Sequence, residues 1–314
     1  MLQVLLLNEG RVLTGGEELL EQPGRKWIDV LQPTEEVMAR LGDRYGLHRL
    51  AIEDCLHLDQ RPKLEEYPNH QFIVLQGFTA LADDVCHLTL HEHHFFLGAD
   101  WIITVHELPF PGLETVGQRV RADPEATLGR GVDMLLYLFA DALVDGNFPI
   151  LDRFNDELED LESAVFENPQ PEQLQRVFAM KRALVSLRRV LSPQRDVVGL
   201  LVRRGIPNVS ERTVLYFRDV YDHLVRLYEQ IDSGRDLLGN VMDGYLSMVA
   251  NRTNDITKQL TIFSTIFLPL SFITGFFGQN FELLSHWGFF WLMLLSVAGL
   301  PLGLMFWFRS KRWL

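Results

Sequence analysis

Residues able to hold a cation through its water shell recur at helical spacing in the last third of the chain. Counting in threes and fours from Asp243 gives Ser247, Ala250, Asn254, Thr257, Leu260 or Thr261, Ser264, Leu268, Ser271 and Gly275. On a helix these positions share one stripe. Its second half is small and hydroxylated, while Phe263, Ile266, Phe267, Leu270, Phe272 and Phe276 point elsewhere. Small residues of this kind also serve close helix packing. The continuation into Asn254 and Asp243 favours an aqueous path. Leu260 and Leu268 would be apolar constrictions on it, able to gate by dewetting.

After Asp243 the stripe carries no carboxylate, so the path would present hydroxyls, amides and carbonyls. A ring of neutral oxygens holds a hydrated ion by outer-sphere hydrogen bonds without trapping it. Magnesium, which dehydrates reluctantly, suits that chemistry. Gly278-Gln279-Asn280 could form such a ring, the glycine allowing a tight turn and the asparagine offering a carbonyl oxygen. Glu282 could draw cations to the mouth. A second donor group is His87, His91, His93 and His94 beside Cys86. Imidazole and thiolate suit zinc better than magnesium. On a strand His87, His91 and His93 share one face and His94 the other. That spacing is wide for one ion, and a solvated edge strand is the competing reading.

The elements that must position these residues follow from the charge distribution. From Gln259 to Phe308 the only formally charged side chain is Glu282. The uncharged stretch divides into a first span at 260–277, a connecting loop at 278–286 and a second span at 287–308, followed by a basic tail at 309–314. A spanning helix needs roughly 17–25 residues. A soluble core hairpin would rarely stay uncharged for so long. Arg252 and Lys258 precede the first span, Arg309, Lys311 and Arg312 follow the second, and the loop has no Lys or Arg. The positive-inside rule then places both termini in the cytoplasm, with an inner (plasma) membrane crossed twice. Trp287, Trp307 and Trp313 stand where interfacial anchors are expected.

Upstream, residues 1–130 read as an α/β domain. Strand signals lie at Gln71–Gln76, His87–His91, His94–Leu97 and Trp101–His106, and helices at Pro33–Tyr45, capped by Thr34, and around Ala51–Leu56. Residues 131–208 read as helical. Val132–Val165 carries one sustained apolar stripe, Gln173–Leu191 a second helix ending before Pro193, and Gln194–Arg203 a short third. A stalk at 209–259 follows. No proline occurs from Asn208 to Leu268, so one helix can run from Glu211 through Phe277, on the order of 100 Å at 1.5 Å per residue. A lone stalk of that length cannot bury its sides, which implies an oligomer.

The 314 residues carry a formal net charge of −13, a poor match to nucleic acid and a good one to cations. Two cysteines, Cys55 and Cys86, exclude a cysteine-built zinc site or a disulfide-dense scaffold. The N-terminal residues show no signal-peptide pattern. No P-loop, nucleophilic triad or His-Glu-x-x-His motif suggests an enzyme. A membrane-anchored sensor or scaffold is the non-transport alternative, but an anchor has no need of a polar stripe joined to a Gly-x-Asn turn.

Taken together, Gly278-Gln279-Asn280 after the first of two C-terminal spans, the surrounding NRTNDITKQLTIFSTIFLPLSFITGFFGQNFE, YFRDVYDHLVRLYEQID at 216–232, EDCLHLDQRPKLEEY at 53–67 and the basic KRW ending resemble the CorA family of divalent metal transporters over essentially the whole chain. The family's turn is Gly-Met-Asn, and Gln279 replaces its methionine. The resemblance implies a homopentamer in a lipid bilayer, a funnel-shaped cytoplasmic domain and a pore lined by the first span. It implies magnesium as substrate and regulatory ligand, with cobalt and nickel as surrogates. Asn280 would bind the hydrated ion, Asp243 and Asn254 would line the pore, and Thr257, Leu260 and Leu268 would fall at the hydrophobic gate, where Thr257 replaces a usually bulkier residue. Asp219 would be the stalk carboxylate of an intersubunit regulatory metal site, with Asp83 or Asp84 of a neighbour as partner. A zinc-transporting branch of the same superfamily, with possible proton coupling, stays open through Gln279 and the histidine group.

Overall fold

The computed structural model describes residues 1–57, 59–203, 205–279, 286–311 and 313. In chain order its elements are β1 (Leu2–Asn8), β2 (Arg11–Gly15), β3 (Arg25–Leu31), α1 (Glu35–Tyr45), α2 (Arg49–Leu56), β4 (Lys63–Glu66), β5 (Gln71–Ala80), β6 (Leu88–Leu97), β7 (Trp101–His106), α3 (Pro111–Ala122), α4 (Val132–Asp145), α5 (Phe148–Glu167), α6 (Pro171–Leu201), α7 (Glu211–Phe277) and α8 (Trp287–Ser310). They divide into two units, Met1–Ala164 with Gln170–Met242, and Val165–Pro169 with Asp243–Leu314.

In the first unit the seven strands form one sheet in the order β2-β1-β3-β7-β6-β5-β4. All pairs are antiparallel except β3 with β7. β1 and β2 turn on Glu9 and Gly10, both at positive φ, as a two-residue hairpin of this twist requires. Alternation along the strands serves two buried faces. Val4, Leu6, Ile28, Val30, Phe72, Val74, Phe96 and Ile103 form a core with Met38 and Leu41 of α1 and Ala51 and Cys55 of α2. On the opposite face, Phe139 of α4 sits 5.0 Å from the Trp27 ring and 5.7 Å from that of Phe95.

Several elements differ from the sequence reading. The signals at His87–His91 and His94–Leu97 are one continuous strand, β6, and it is an interior strand between β5 and β7 rather than a solvated edge. Periodicity reports which residues share a face; it does not report a strand's rank in the sheet. The apolar run from Val132 breaks into α4 and α5 because Asn147 folds back on α4. Its Nδ2 donates to the Leu143 and Val144 carbonyls at 2.8 and 3.0 Å. Pro149 then sits in the first turn of α5, where its missing N–H costs nothing.

α6, by contrast, runs straight through Pro193. Proline removes one helical hydrogen bond. Leu187, Val190, Leu191, Val197 and Val198 are buried on both sides of it, and the Gln76 backbone N–H donates to Gln194 Oε1 at 2.7 Å, tying this turn to β5. α7 begins and ends where the sequence indicates. Ser210 donates through its backbone N–H and its hydroxyl to Asp133 Oδ2, and the Thr213 N–H donates back to Ser210 Oγ. The helix start is thereby capped and fixed to α4.

Among the described residues three stretches are long and apolar enough to cross a membrane. The apolar window of Val132–Glu167 is 61% buried and supplies core to the sheet unit, whereas those of α7 and α8 are 0% buried.

Candidate cation path and metal centre

The second unit contains the C-terminal part of α7, and there the stripe read from the sequence is wholly exposed. Asp243, Ala250, Asn254, Thr257, Leu260, Ser264, Leu268, Ser271 and Gly275 are all exposed in the single chain. Half-buried residues form a different stripe, through Ile262, Ile266, Pro269, Ile273 and Phe277. At about 100° per residue the two stripes lie on roughly opposite sides of the helix. α8 carries a reciprocal half-buried stripe through Phe289, Met293, Val297, Leu300 and Leu304. Each helix thus spends one face within the chain, and the polar face of α7 is the one left over.

The chemistry of that face is neutral and graded. Thr257 and Thr261 donate their hydroxyls to the carbonyls four residues earlier, at 2.8 and 2.7 Å. Ser264 and Ser271, among the described residues, make no such bond, so their hydroxyls are not committed to the helix backbone. Leu260 and Leu268 stand 65% and 72% exposed between them, apolar rungs on a hydroxylated ladder. At the helix end Gly278 N–H donates to the Thr274 carbonyl at 3.0 Å and Gln279 N–H to that of Phe276 at 3.3 Å. Asn280 and Glu282 lie outside the described residues.

A group of metal-capable side chains lies in the first unit, where α4 meets the start of α7. Tyr137 packs on Tyr216 and Phe217, bringing the i, i+4 pair Asp141/Asp145 of α4 to the pair Asp219/His223 of α7. His223 Nδ1 is 2.7 Å from Asp145 Oδ1, and Nε2 is 3.9 Å from Asp219 Oδ2. Ligand atoms of Asp141, Asp145 and His223 all lie within 4.8 Å of one another. Burial, then the negative charge of Asp145, pushes the Asp141 carboxyl up to about 6, with Asp219 adding to the shift. Like charges held this close favour a proton or a cation. The sequence reading singled out Asp219 alone. The two i, i+4 pairs were visible in the sequence, but nothing in it brings α4 beside α7.

The other predicted residues are placed differently. Asp84 is engaged within its own chain, accepting from the Cys86 N–H at 3.0 Å and from Arg176 Nη1 at 2.9 Å. These donors hold its carboxyl below the usual range. Asp83 is exposed beside it. His87, His91 and His93 do not converge: among the described residues the one trio within ligand distance is that of Asp141, Asp145 and His223. His87 is exposed, whereas His91 bonds Thr79 Oγ1 at 2.8 Å. The His93 ring is buried against His106 and Phe110 with neither nitrogen bonded. Burial, then neighbouring His106, holds His93 well below the ordinary imidazole value. On the other face His94 Nε2 meets Glu92 Oε1 at 2.8 Å.

Residues 24–312 match the family described as CorA-like Mg2+ transporter protein. The chain is 37% identical over 292 residues, 92% of its length and 83% of the relative's, to the cobalt/magnesium transport protein CorA of Thermotoga maritima. Its fold matches the complete structure of the CorA magnesium transporter from Methanocaldococcus jannaschii with a TM-score of 0.85 at 22% identity, covering 100% of this chain and 99% of that one. A more distant similarity, 28% identity over 178 residues (55% of this chain and 54% of the relative), links it to the zinc transport protein ZntB of Yersinia enterocolitica.

Proposed function

The chain belongs to the CorA family of divalent metal transporters, a family of channels rather than enzymes, and from that premise we propose that it conducts magnesium into the cytoplasm. The path is formed where copies of α7 bring their polar stripes together on a common axis. The observation that carries this reading is the disposition of α7: one face is half-buried within the chain and the opposite face, hydroxylated and free of carboxylates beyond Asp243, is exposed among the described residues.

Ion passage follows from that surface. The inside-negative potential contributes about 2.3 kcal/mol per elementary charge per 100 mV, so a divalent ion gains roughly twice that without any ATP site. Asn280, with Gly278 and Gln279, receives the hydrated ion at the outer end, and Glu282 raises its local concentration. Ser271 and Ser264 pass it along by hydrogen bonds to its water. Leu268 and Leu260 close the path when the ring narrows enough to dewet. Asn254 and Asp243 receive it on the cytoplasmic side. The assembly is a homopentamer, as the sequence resemblance implies, with both termini cytoplasmic. Cobalt and nickel follow the same path.

Regulation rests on the carboxylate group around His223. Cytoplasmic magnesium neutralises Asp219, Asp145 and Asp141, and Asp83 of a neighbouring copy completes the site. Loss of the ion restores the repulsion, loosens the interface and opens the path.

Uptake into proteoliposomes tests the reading, comparing magnesium with zinc, with and without a proton gradient, and with Asn280→Ala as control. Magnesium flux that ignores the proton gradient and disappears in Asn280→Ala is expected. Zinc flux with little magnesium flux would move the chain to the zinc branch, for which the distant zinc-transporter similarity and Gln279 speak. No flux of either ion would leave the membrane-anchored sensor.

A further inference from the structure

A cavity of about 480 Å3 opens between the middle of α6, the turn joining β5 to β6 and the segment Asp59–Pro62. Its charge runs against that of the chain. In a protein of net charge −13, four arginines line this one concavity: Arg61, Arg176, Arg182 and Arg189. Arg176 is committed, bonded by both oxygens of Glu157 and by Asp84. Arg61, Arg182 and Arg189 are not. Among the described residues, none of their guanidinium groups has a carboxylate partner. Like charges gathered at a concave surface repel one another and focus a positive potential into it. An anion entering the cavity would relieve that repulsion.

The geometry narrows the anion. Arg182, Ser186 and Arg189 line the cavity over two turns of α6, a row of donors rather than a point. Guanidinium groups favour phosphate and carboxylate oxygens by paired hydrogen bonds. Part of the remaining wall is apolar, with Phe78, Leu88, Leu90 and Val190, and Asp59, Asp84 and His87 line the rest, leaving the four arginines in excess over two carboxylates. A bare inorganic ion would leave that wall and most of the volume unused. Cavities of about 300–1,000 Å3 hold organic ligands of moderate size. We propose that this cavity is a binding site for an organic phosphate of mononucleotide size, its phosphates on Arg182 and Arg189 and its apolar part against Phe78 and Leu90. The occupant would bridge α6 to the turn that carries Asp83 and Asp84. It therefore bears on the sheet unit and needs nothing from the cation path.

The full-length protein in detergent tests this directly, with EDTA present so that metal binding does not contribute. ADP and inorganic phosphate are titrated calorimetrically into the wild type and into an Arg182→Gln/Arg189→Gln variant. Both arginines are exposed, so an unchanged melting temperature verifies that the variant is folded. Cys86 gives an independent signal. It lines the cavity, while Cys55 is buried, and burial pushes the Cys86 thiol up to about 11, so alkylation is slow and easily timed. Saturable binding of one ADP per chain is expected, about tenfold or more weaker in the variant and about tenfold or more weaker for phosphate alone. ADP should slow Cys86 alkylation in the wild type and leave it unchanged in the variant. Absence of saturable ADP binding would overturn the proposal. So would equal binding by the variant, or phosphate binding as tightly as ADP.

Discussion

Between Glu211 and Met242, α7 buries Val214, Phe217, Val220, Leu224, Leu227, Ile231, Leu238 and Val241 against its own chain. Between Asp243 and Phe277 the same helix, among the described residues, has half-buried positions but no fully buried one, although its sequence there is more apolar. Backbone geometry is continuous across the two halves, so the difference lies in what surrounds them. In the first half hydrophobicity is spent internally, and charged residues, Asp219 among them, are left on the outside. In the second half large apolar residues such as Phe263, Phe267 and Phe272 are exposed, as lipid demands, and so is the small hydroxylated stripe, which under the proposed function faces other copies. A polar line on an otherwise apolar helix can serve close helix packing or an enclosed water path, and the proposed function takes the second.

Truncations at matched positions would break this contrast most sharply. Phe217→Ala should remove about 3–5 kcal/mol of stability from the sheet unit, the usual cost of a buried aromatic. Phe272→Ala, exposed in the membrane half, should leave the thermal unfolding of that unit unmoved. Equal losses, measured by denaturant or thermal melts in detergent, would mean that the two halves are not separate environments.

Charge removal at the junction of α4 and α7 comes next. Asp219→Ala should raise the magnesium concentration that protects the protein from limited proteolysis by about 5- to 150-fold, the range of ordinary allosteric couplings. Asp145→Asn should act in the same direction, through its bond to His223. Unchanged protection curves for both variants would remove the carboxylate group from regulation. In the membrane half, Leu268→Asn should keep the constriction wet and raise basal magnesium leak about tenfold, whereas Ile266→Asn on the opposite stripe should not. Leak of the same size from both positions would erase the distinction between the stripes.

The smallest effect is on pH. His93 and His70 are buried and held neutral, His70 at about 4 by burial and then by neighbouring His48. The unfolded chain protonates these rings below about 6.5 and the folded chain resists it. Through these two rings stability should fall as pH drops through 6.5 toward 5, against an opposite contribution from Asp141 and His106, whose folded values are raised. His93→Gln should flatten part of that slope. The same pH slope of melting temperature in wild type and His93→Gln between 5 and 7 would contradict it.

The sequence discloses those features whose cause is local. α7 is readable end to end because no proline interrupts it before Pro269, Ser210 caps it and Gly278 follows it. Thr34 marks the start of α1, and its hydroxyl oxygen accepts from the Val37 N–H at 3.4 Å. Features with a distant cause were hidden. Pro193 reads as a helix end, and only burial on both sides of it and the bond between Gln194 and β5 carry the helix through. The histidines of β6 read as a solvated edge because their pattern cannot reveal that β7 lies beyond them. Asp141 and Asp145 sat unremarked on an apolar helix until α4 was placed against α7.

The central claim is that the polar stripe of α7 lines the ion path and its opposite face does not. Single cysteines at Ser264 and Ser271, and at Ile266 and Ile273, test it when a positively charged, membrane-impermeant thiol reagent is added during magnesium flux in proteoliposomes, with reagent-treated wild type as baseline. Modification should block flux in Ser264→Cys and Ser271→Cys and leave Ile266→Cys and Ile273→Cys at the baseline. Block at the isoleucine positions with the serine positions unaffected, or equal block at all four, would contradict it.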